Sequence, residues 1–301
     1  MNVSVIIPCY NAELTISEQL DALLQQEEVP EPWEIIVADN RSTDNSRLVI
    51  ERYMNLHPRV RLVEAFERQG PSHARNAGAK AALGDVLAFC DADDVVAPGW
   101  LAALLTSLED ADVVICRIDR EKLNQQSWIS RDIWQNKDRA AARETLEDNR
   151  APYPPHLILV RGWSFAIKRS FHEAINGFDE TLIAGEDLDY GFRAQLAGAR
   201  PSFAYDAVLY YRHRPQFRTM MSQWRTYGKY TILLRKKYQP PEADTGFWHS
   251  WAVYFYGWAR LLWWLLKTRR KEEFALVMRN IAFRFGTFQG CVKYHLNPYE
   301  Y

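Results

Sequence analysis

Three carboxylates in four residues, Asp91-Ala92-Asp93-Asp94, follow the apolar run Val86–Cys90. Crowded anions repel one another unless a divalent cation sits among them. Hard carboxylate oxygens suit Mg²⁺ or Mn²⁺, which commonly bridge onward to phosphate oxygens. The same acids also read as a solvated turn capping the helix near Pro98; the apolar strand before them favours the cation. A second acidic group, Glu186-Asp187-Leu188-Asp189, opens an amphipathic stretch. Charge complementing a helix dipole accounts for one such acid. Three acids in four residues leave a carboxylate that could take a proton from an acceptor hydroxyl.

Asp39, after Ile35-Ile36-Val37-Ala38, either accepts from a base imide or ribose hydroxyl, or bonds its own turn backbone, as Asp-Asn sequences do. Arg75 lies among small residues, so its charge needs a partner: the Asp cluster or a diphosphate. His213, in Tyr210-Tyr211-Arg212-His213-Arg214, reads either as structural or as a metal or phosphate contact.

These clusters need elements to hold them. Strands are expected at Val3–Pro8, Trp33–Ala38, Val60–Ala65, Val86–Cys90, Asp112–Cys116, Gly162–Lys168 and Phe203–Tyr211. Helices are expected at Leu14–Gln26, Asp44–Leu56, Ser72–Leu83, Trp100–Leu108 and Glu186–Leu196. Strands alternating with helices predict an α/β fold, a mostly parallel sheet flanked by helices on both faces. Ligands in such sheets sit at the carboxyl ends of the strands, where the polar clusters fall. Residues 119–158 read as a loop or insertion. After Pro215 the chain reads as helical over 216–238, 246–268 and 271–285, with a Pro-Pro break at 240–241.

The 301 residues suffice for one large domain with an appendage, and an apolar content of 48% excludes wholesale disorder. The four Cys form no CxxC pair, so neither a zinc cluster nor a disulfide framework is expected. MNVSVIIP reads as a first strand, not a signal peptide. Charge is divided: residues 212–301 hold 16 Lys/Arg against 5 Asp/Glu, and the rest of the chain 21 against 33. An acidic body with a basic, aromatic tail suggests chemistry in front and attachment behind.

Taken together and in order, VSVIIPCYNAE, IIVADNRSTDNS, GPSHARNAGAKAALGDVLAFCDADD, the GFDE at Gly177–Glu180 and GEDLDYGFRAQLAG resemble the family 2 glycosyltransferases, which have the GT-A fold. The resemblance covers residues 1 to about 213. It implies a GT-A catalytic domain at 1–213 and a separate C-terminal helical region at 214–301. Pro8, Tyr10 and Glu13 would line the nucleotide pocket, with Asp39 on the base, most often uracil. Arg75 would lie near the nucleotide or its phosphates. Asp91 would contact ribose or metal-bound water, and Asp93 would be the ligand of a Mn²⁺ or Mg²⁺ ion. Asp187 would be the catalytic base, with Glu186 orienting the acceptor. His213 matches a His that some members place near metal and diphosphate. The implied activity is inverting transfer from a nucleotide sugar, most simply a UDP-sugar, to a lipid-linked or polysaccharide acceptor. Processive members carry QxxRW and several membrane spans. Gln223-Trp224-Arg225 is not that motif, so transfer of a single sugar is expected. A nucleotidyltransferase, or a non-catalytic nucleotide-sugar-binding or scaffold protein, are the rival readings.

Between Trp248 and Leu266 the tail carries eight aromatics, and Lys267, Arg269, Arg270 and Lys271 follow. Aromatics beside cations suit a helix lying in a membrane interface. The alternative is a helical pair packing on the catalytic domain or on a second subunit. The expectation is a cytoplasmic protein, peripheral at the inner face of the cell membrane through 246–285. No motif points to nucleic acid.

Overall fold

A computed structural model describes residues 2–124, 145–151, 155–213, 216–238 and 247–298. The described residues fall into two compact units, one drawn from 2–123, 145–149 and 158–212, the other from 124, 150–151, 155–157, 213, 216–238 and 247–298.

The first unit is built on eight strands: β1 (Val3–Cys9), β2 (Trp33–Asp39), β3 (Val60–Glu64), β4 (Val86–Cys90), β5 (Val95–Val96), β6 (Val113–Asp119), β7 (Ser164–Lys168) and β8 (Pro201–Tyr210). They form one sheet in the order β3-β2-β1-β4-β7-β6-β8-β5. β1, β2, β3 and β4 run parallel, as does the β6–β8 pair. β7 enters antiparallel between β4 and β6. The helices are α1 (Ile16–Leu24), α2 (Ser46–Leu56), α3 (Pro71–Ala81), α4 (Trp100–Leu108), α5 (Arg169–Ala174) and α6 (Glu186–Leu196).

The strands read as unbroken apolar runs because both sheet faces are covered. Alternate residues therefore enter different cores. Val5 and Ile7 of β1, Ile35 and Val37 of β2, and Ala88 of β4 share one core with Leu20, Leu23, Ile50, Trp100 and Leu104 from α1, α2 and α4. Ile6, Ile36, Leu87 and Phe89 point the other way, into a core with Phe165, Phe178 and Tyr190. In that second core Phe178 stacks on Tyr190 at 4.1 Å between ring centroids. His172 Nδ1 lies 2.8 Å from the Tyr190 hydroxyl. This aromatic block lies under α6, the helix that carries Glu186 and Asp187.

The sequence pattern gives no sign of β5 or α5. A two-residue strand and a six-residue helix are too short to show a period. β5 exists because β8 offers an edge: Val95 pairs with Tyr210 and Val96 with Leu209. The acidic turn is thereby clamped between β4 and β5. Most of the expected 119–158 insertion, and the Pro-Pro break, lie outside the described residues.

The second unit contains α7 (Phe217–Tyr238), α8 (Phe247–Lys267) and α9 (Lys271–Tyr294), the last running one helical stretch beyond the expected 285. α7 and α9 touch backbone to backbone. A β-carbon on Gly228 would fall 2.0 Å from the Phe283 carbonyl, and one on Gly286 would fall 1.9 Å from that of Arg225. Among the described residues no helix is long and apolar enough to cross a membrane.

Candidate active site

The carboxyl ends of β1, β2 and β4, the residues before β7 and the N-terminus of α6 supply the chemistry. Asp91, Asp93 and Asp94 bring one oxygen each within 4.8 Å of one another, in a turn where Asp93 is exposed and Asp94 buried. The turn is braced from three sides. Gln19, buried on α1, donates to the Asp91 carbonyl at 3.1 Å and accepts from the Val96 amide at 3.0 Å. Arg212, just after β8, donates its amide to Asp94 Oδ1 at 2.7 Å and its Nε to the Asp93 carbonyl at 2.8 Å. The Asp91 amide donates to the Trp163 carbonyl at 3.3 Å.

The donor set fits a hard divalent cation. Its oxygens converge, and Asp94 Oδ2 is buried without a hydrogen-bond partner. Burial, then Asp93 and Asp91, hold the Asp94 carboxyl well above the usual carboxylate range. Burial pushes Asp91 up to about 6, with Asp93 adding to the shift and Arg75 opposing it. A cation among these oxygens would reverse that logic.

Of the two partners weighed for Arg75, the carboxylates have it. The guanidinium is 4% exposed and donates to Asp91 Oδ1 at 2.8 Å and to Glu186 Oε1 at 3.1 Å. It also donates to the Gly162 carbonyl at 3.3 Å and lies over the Phe178 ring. Burial works against its charge, but Asp91, Glu186 and Asp187 outweigh it. One side chain on α3 thus ties the metal-type turn to the N-terminus of α6.

The three acids of α6 separate by task. Asp189 is fully buried and pairs with Arg193 at 2.7 Å, a structural role. Glu186 is buried against Arg75; burial and the neighbouring Asp187 push it up to about 7. Asp187 is half-buried. Its Oδ2 accepts from the Gly162 amide at 2.7 Å and its Oδ1 from the Leu188 amide at 2.8 Å. The GFDE segment braces the same region: Glu180 accepts from Asn76 at 2.9 Å and lies 3.0 Å from His73 Nδ1, both on α3.

The residues expected at the nucleotide sit on neighbouring loops. Asp39, at the end of β2, is buried and its Oδ1 accepts from the Ser42 amide at 3.2 Å, so it does bond its own turn. Pro8 is half-buried in β1, and Tyr10 after it is exposed. Glu13 Oε2 is engaged by the Asn45 amide and side chain, both at 2.9 Å. Asn11 Oδ1 accepts from the Thr43 amide at 2.8 Å, and the Ala12 amide donates to Ser46 Oγ at 2.7 Å. These bonds lace the β1 and β2 loops together. His213 falls in the second unit, where its amide donates to Asn124 Oδ1 at 2.8 Å.

Gln19, Gly162 and Arg212 were not picked out as site residues by the sequence. A Gln on a helix and a Gly before a strand carry no motif. Only the Arg flanking His213 gave a signal.

The family model described as glycosyl transferase family 2 matches residues 4–174, more than half of the chain. Among curated relatives, the uncharacterized glycosyltransferase EpsJ of Bacillus subtilis is 28% identical over 216 residues, 71% of this chain and 61% of EpsJ. The poly(ribitol-phosphate) beta-N-acetylglucosaminyltransferase TarS of Staphylococcus aureus is 27% identical over 226 residues, 74% of this chain but 38% of TarS. Among solved structures, the mannosyltransferase PcManGT from Pyrobaculum calidifontis, in complex with GDP-Man and Mn²⁺, superposes with a TM-score of 0.69 at 21% identity, covering 97% of this chain and 87% of that one. The chain thus matches less than two thirds of the length of EpsJ and TarS, while the likeness to PcManGT identifies its α/β fold as GT-A.

Proposed function

Because the chain belongs to glycosyl transferase family 2, we propose that it moves one sugar from a nucleotide sugar, a UDP-sugar, to a hydroxyl of a lipid-linked or polysaccharide acceptor. The catalytic domain would be 1–213, with 214–301 as a C-terminal region that meets the inner face of the cell membrane. The observation that carries this reading is the Asp187 carboxylate, aimed by the Gly162 amide and joined through Glu186 and Arg75 to the Asp91 turn.

The acceptor hydroxyl attacks the anomeric carbon from the face opposite the leaving nucleoside diphosphate. Its new C–O bond forms as the bond to the diphosphate oxygen breaks, and Asp187 takes the hydroxyl proton. A single displacement inverts the anomeric centre and needs no covalent nucleophile. General-base help of this kind is worth roughly 10²- to 10⁴-fold. Mg²⁺ or Mn²⁺ held by Asp93, with Asp91 and Asp94 as further ligands, would offset the charge growing on the diphosphate. Pro8, Tyr10, Glu13 and Asp39 would line the nucleoside side. Arg75, already occupied by two carboxylates, would act on the donor through Asp91. Glu186, held on Arg75, would fix the start of α6 and so orient Asp187 toward the acceptor. TarS and PcManGT, whose names and complexes carry an N-acetylglucosaminyl transfer and GDP-Man with Mn²⁺, support the nucleotide-sugar class.

The test is a panel of UDP-, GDP- and TDP-sugars with Mn²⁺ or Mg²⁺, with and without EDTA. The readouts are thermal shift and release of nucleoside diphosphate. A metal-dependent shift with one UDP-sugar and slow UDP release is expected. No shift with any donor in the presence of metal would leave a scaffold role.

A further inference from the structure

α8 is amphipathic the wrong way round for a helix of a water-soluble fold. At about 100° per residue, Ser250, Tyr254, Gly257 and Leu261 fall on one side; all four are buried. Directly opposite lie Ala252, Phe255, Tyr256, Ala259, Trp263 and Leu266, all exposed. Phe255 is 59% exposed, Tyr256 65%, Trp263 59% and Leu266 88%. A surface helix ordinarily turns polar residues outward. Here the outward stripe is apolar and aromatic along the length of the helix.

Cations border the stripe. Lys267 Nζ lies 3.9 Å from the Trp263 ring centroid. Arg269, Arg270 and Lys271 follow, all exposed. Glu272 and Glu273 come next, and Glu273 pairs with Arg270 at 3.2 Å, so three cations are left outside that pair. We propose that the outward face of α8 docks on an anionic lipid bilayer, with the helix lying along the interface. Phe255, Tyr256, Trp263 and Leu266 would enter the headgroup–acyl boundary, and Lys267, Arg269 and Lys271 would meet lipid phosphates. The helix does not span: Arg260 interrupts its apolar run, and no described helix is long and apolar enough to cross. A second copy of this chain is the weaker occupant, because each copy would bring the same cation cluster beside the same stripe. An anionic surface accepts stripe and cluster together. This deepens the reading of a membrane-side acceptor and rests on it.

The test is flotation of the full chain with vesicles of phosphatidylcholine alone, or of equal parts phosphatidylcholine and phosphatidylglycerol. Binding is expected only with the anionic vesicles. The K267Q/R269Q/R270Q/K271Q variant should lose roughly a hundredfold in partitioning, from about fivefold for each cation outside the Arg270–Glu273 pair. W263A/L266A should lose roughly tenfold or more. Ala259→Glu, which sets an acid in mid-stripe without touching the packed side, should abolish binding. Folded protein that floats with neither vesicle, or variants that float like the parent, would overturn the proposal. So would a dimer in light scattering that W263A/L266A dissociates. UDP release from a UDP-sugar, measured on the same preparations, separates the two readings: release without flotation overturns this proposal alone, and flotation without release overturns the transferase reading alone.

Discussion

The Gly162 amide donates to Asp187 Oδ2 at 2.7 Å, and a β-carbon placed on Gly162 would stand 2.9 Å from the Asp187 β-carbon. The carboxylate is therefore oriented by backbone, through a gap that admits no side chain. The same β-carbon would meet Arg75 Nη2 at 3.1 Å, so one glycine spaces both the candidate base and the residue that links it to Asp91.

Asp187→Asn should lower kcat by roughly 10²- to 10⁴-fold with donor KM little changed, because the amide keeps the shape and cannot take the proton. Gly162→Ala should lower kcat by roughly tenfold or more through displacement of Asp187, since misplacement of about 1 Å can cost about a hundredfold. Steady-state kinetics on one donor read both. An Asp187→Asn enzyme as fast as the parent would remove Asp187 from the base role.

Arg75→Met should cost roughly 3–5 kcal/mol in urea unfolding near neutral pH, because it leaves Asp91 and Glu186 facing each other without their cation. Adding Glu186→Gln should restore part of the loss. Additive effects of the two substitutions would show that the Arg75–Glu186 contact carries no coupling.

Mn²⁺ should raise the Tm of the parent, and Asp93→Asn should abolish that rise. For the parent that rise corresponds to about 2.7 kcal/mol at a metal concentration of about a hundred times Kd. Asp94→Asn should weaken it as well, since the buried Oδ2 has no hydrogen-bond partner. Equal stabilisation of parent and both variants would place the metal elsewhere.

Strand and helix periods made the sheet and its flanking helices legible, and clustered acids marked Asp91, Asp93 and Asp187 as candidates. What stayed hidden depends on distant chain segments meeting. β5 is a strand only because β8 lies beside it. Gln19 matters because α1 passes under the acidic turn. Arg75 was legible as a charge needing a partner, but the choice between carboxylates and phosphate required α3 and α6 to be set side by side. The outward stripe of α8 was visible as aromatic content. Its direction became visible only once Tyr254 and Leu261 were seen to be the buried side.

Gly286→Ala should destabilise the second unit, because its β-carbon would fall 1.9 Å from the Arg225 carbonyl, a backbone atom that cannot turn aside. Overpacking of this kind costs about 1–3 kcal/mol or more. Circular dichroism melts should show a lowered Tm for the helical signal. An unchanged melt would mean that α7 and α9 pack less closely than described.

His172 sets an acid limit on the first unit. Burial, with Arg169 and Arg193 nearby, pushes its pKa down from 6.5 to about 4. The folded state thus prefers the neutral imidazole, and the unfolded chain binds the proton more readily. The stability contributed is fully present above about 6.5 and is lost as pH falls toward 4, amounting to about 3 kcal/mol over that window. Glu186 acts in the opposite sense, since its carboxyl is pushed up to about 7 from 4.5 and its contribution fades as pH rises between those values. The parent's slope alone therefore mixes His172 with buried carboxylates whose pKa is raised, Glu186 and Asp91 among them. His172→Gln removes the imidazole, and the difference in unfolding free energy between parent and variant should shrink by about 2–3 kcal/mol from pH about 7.5 to about 4.5. A difference that stays constant across that range would mean His172 titrates normally, and that its position against Tyr190 and Phe89 does not exclude the proton.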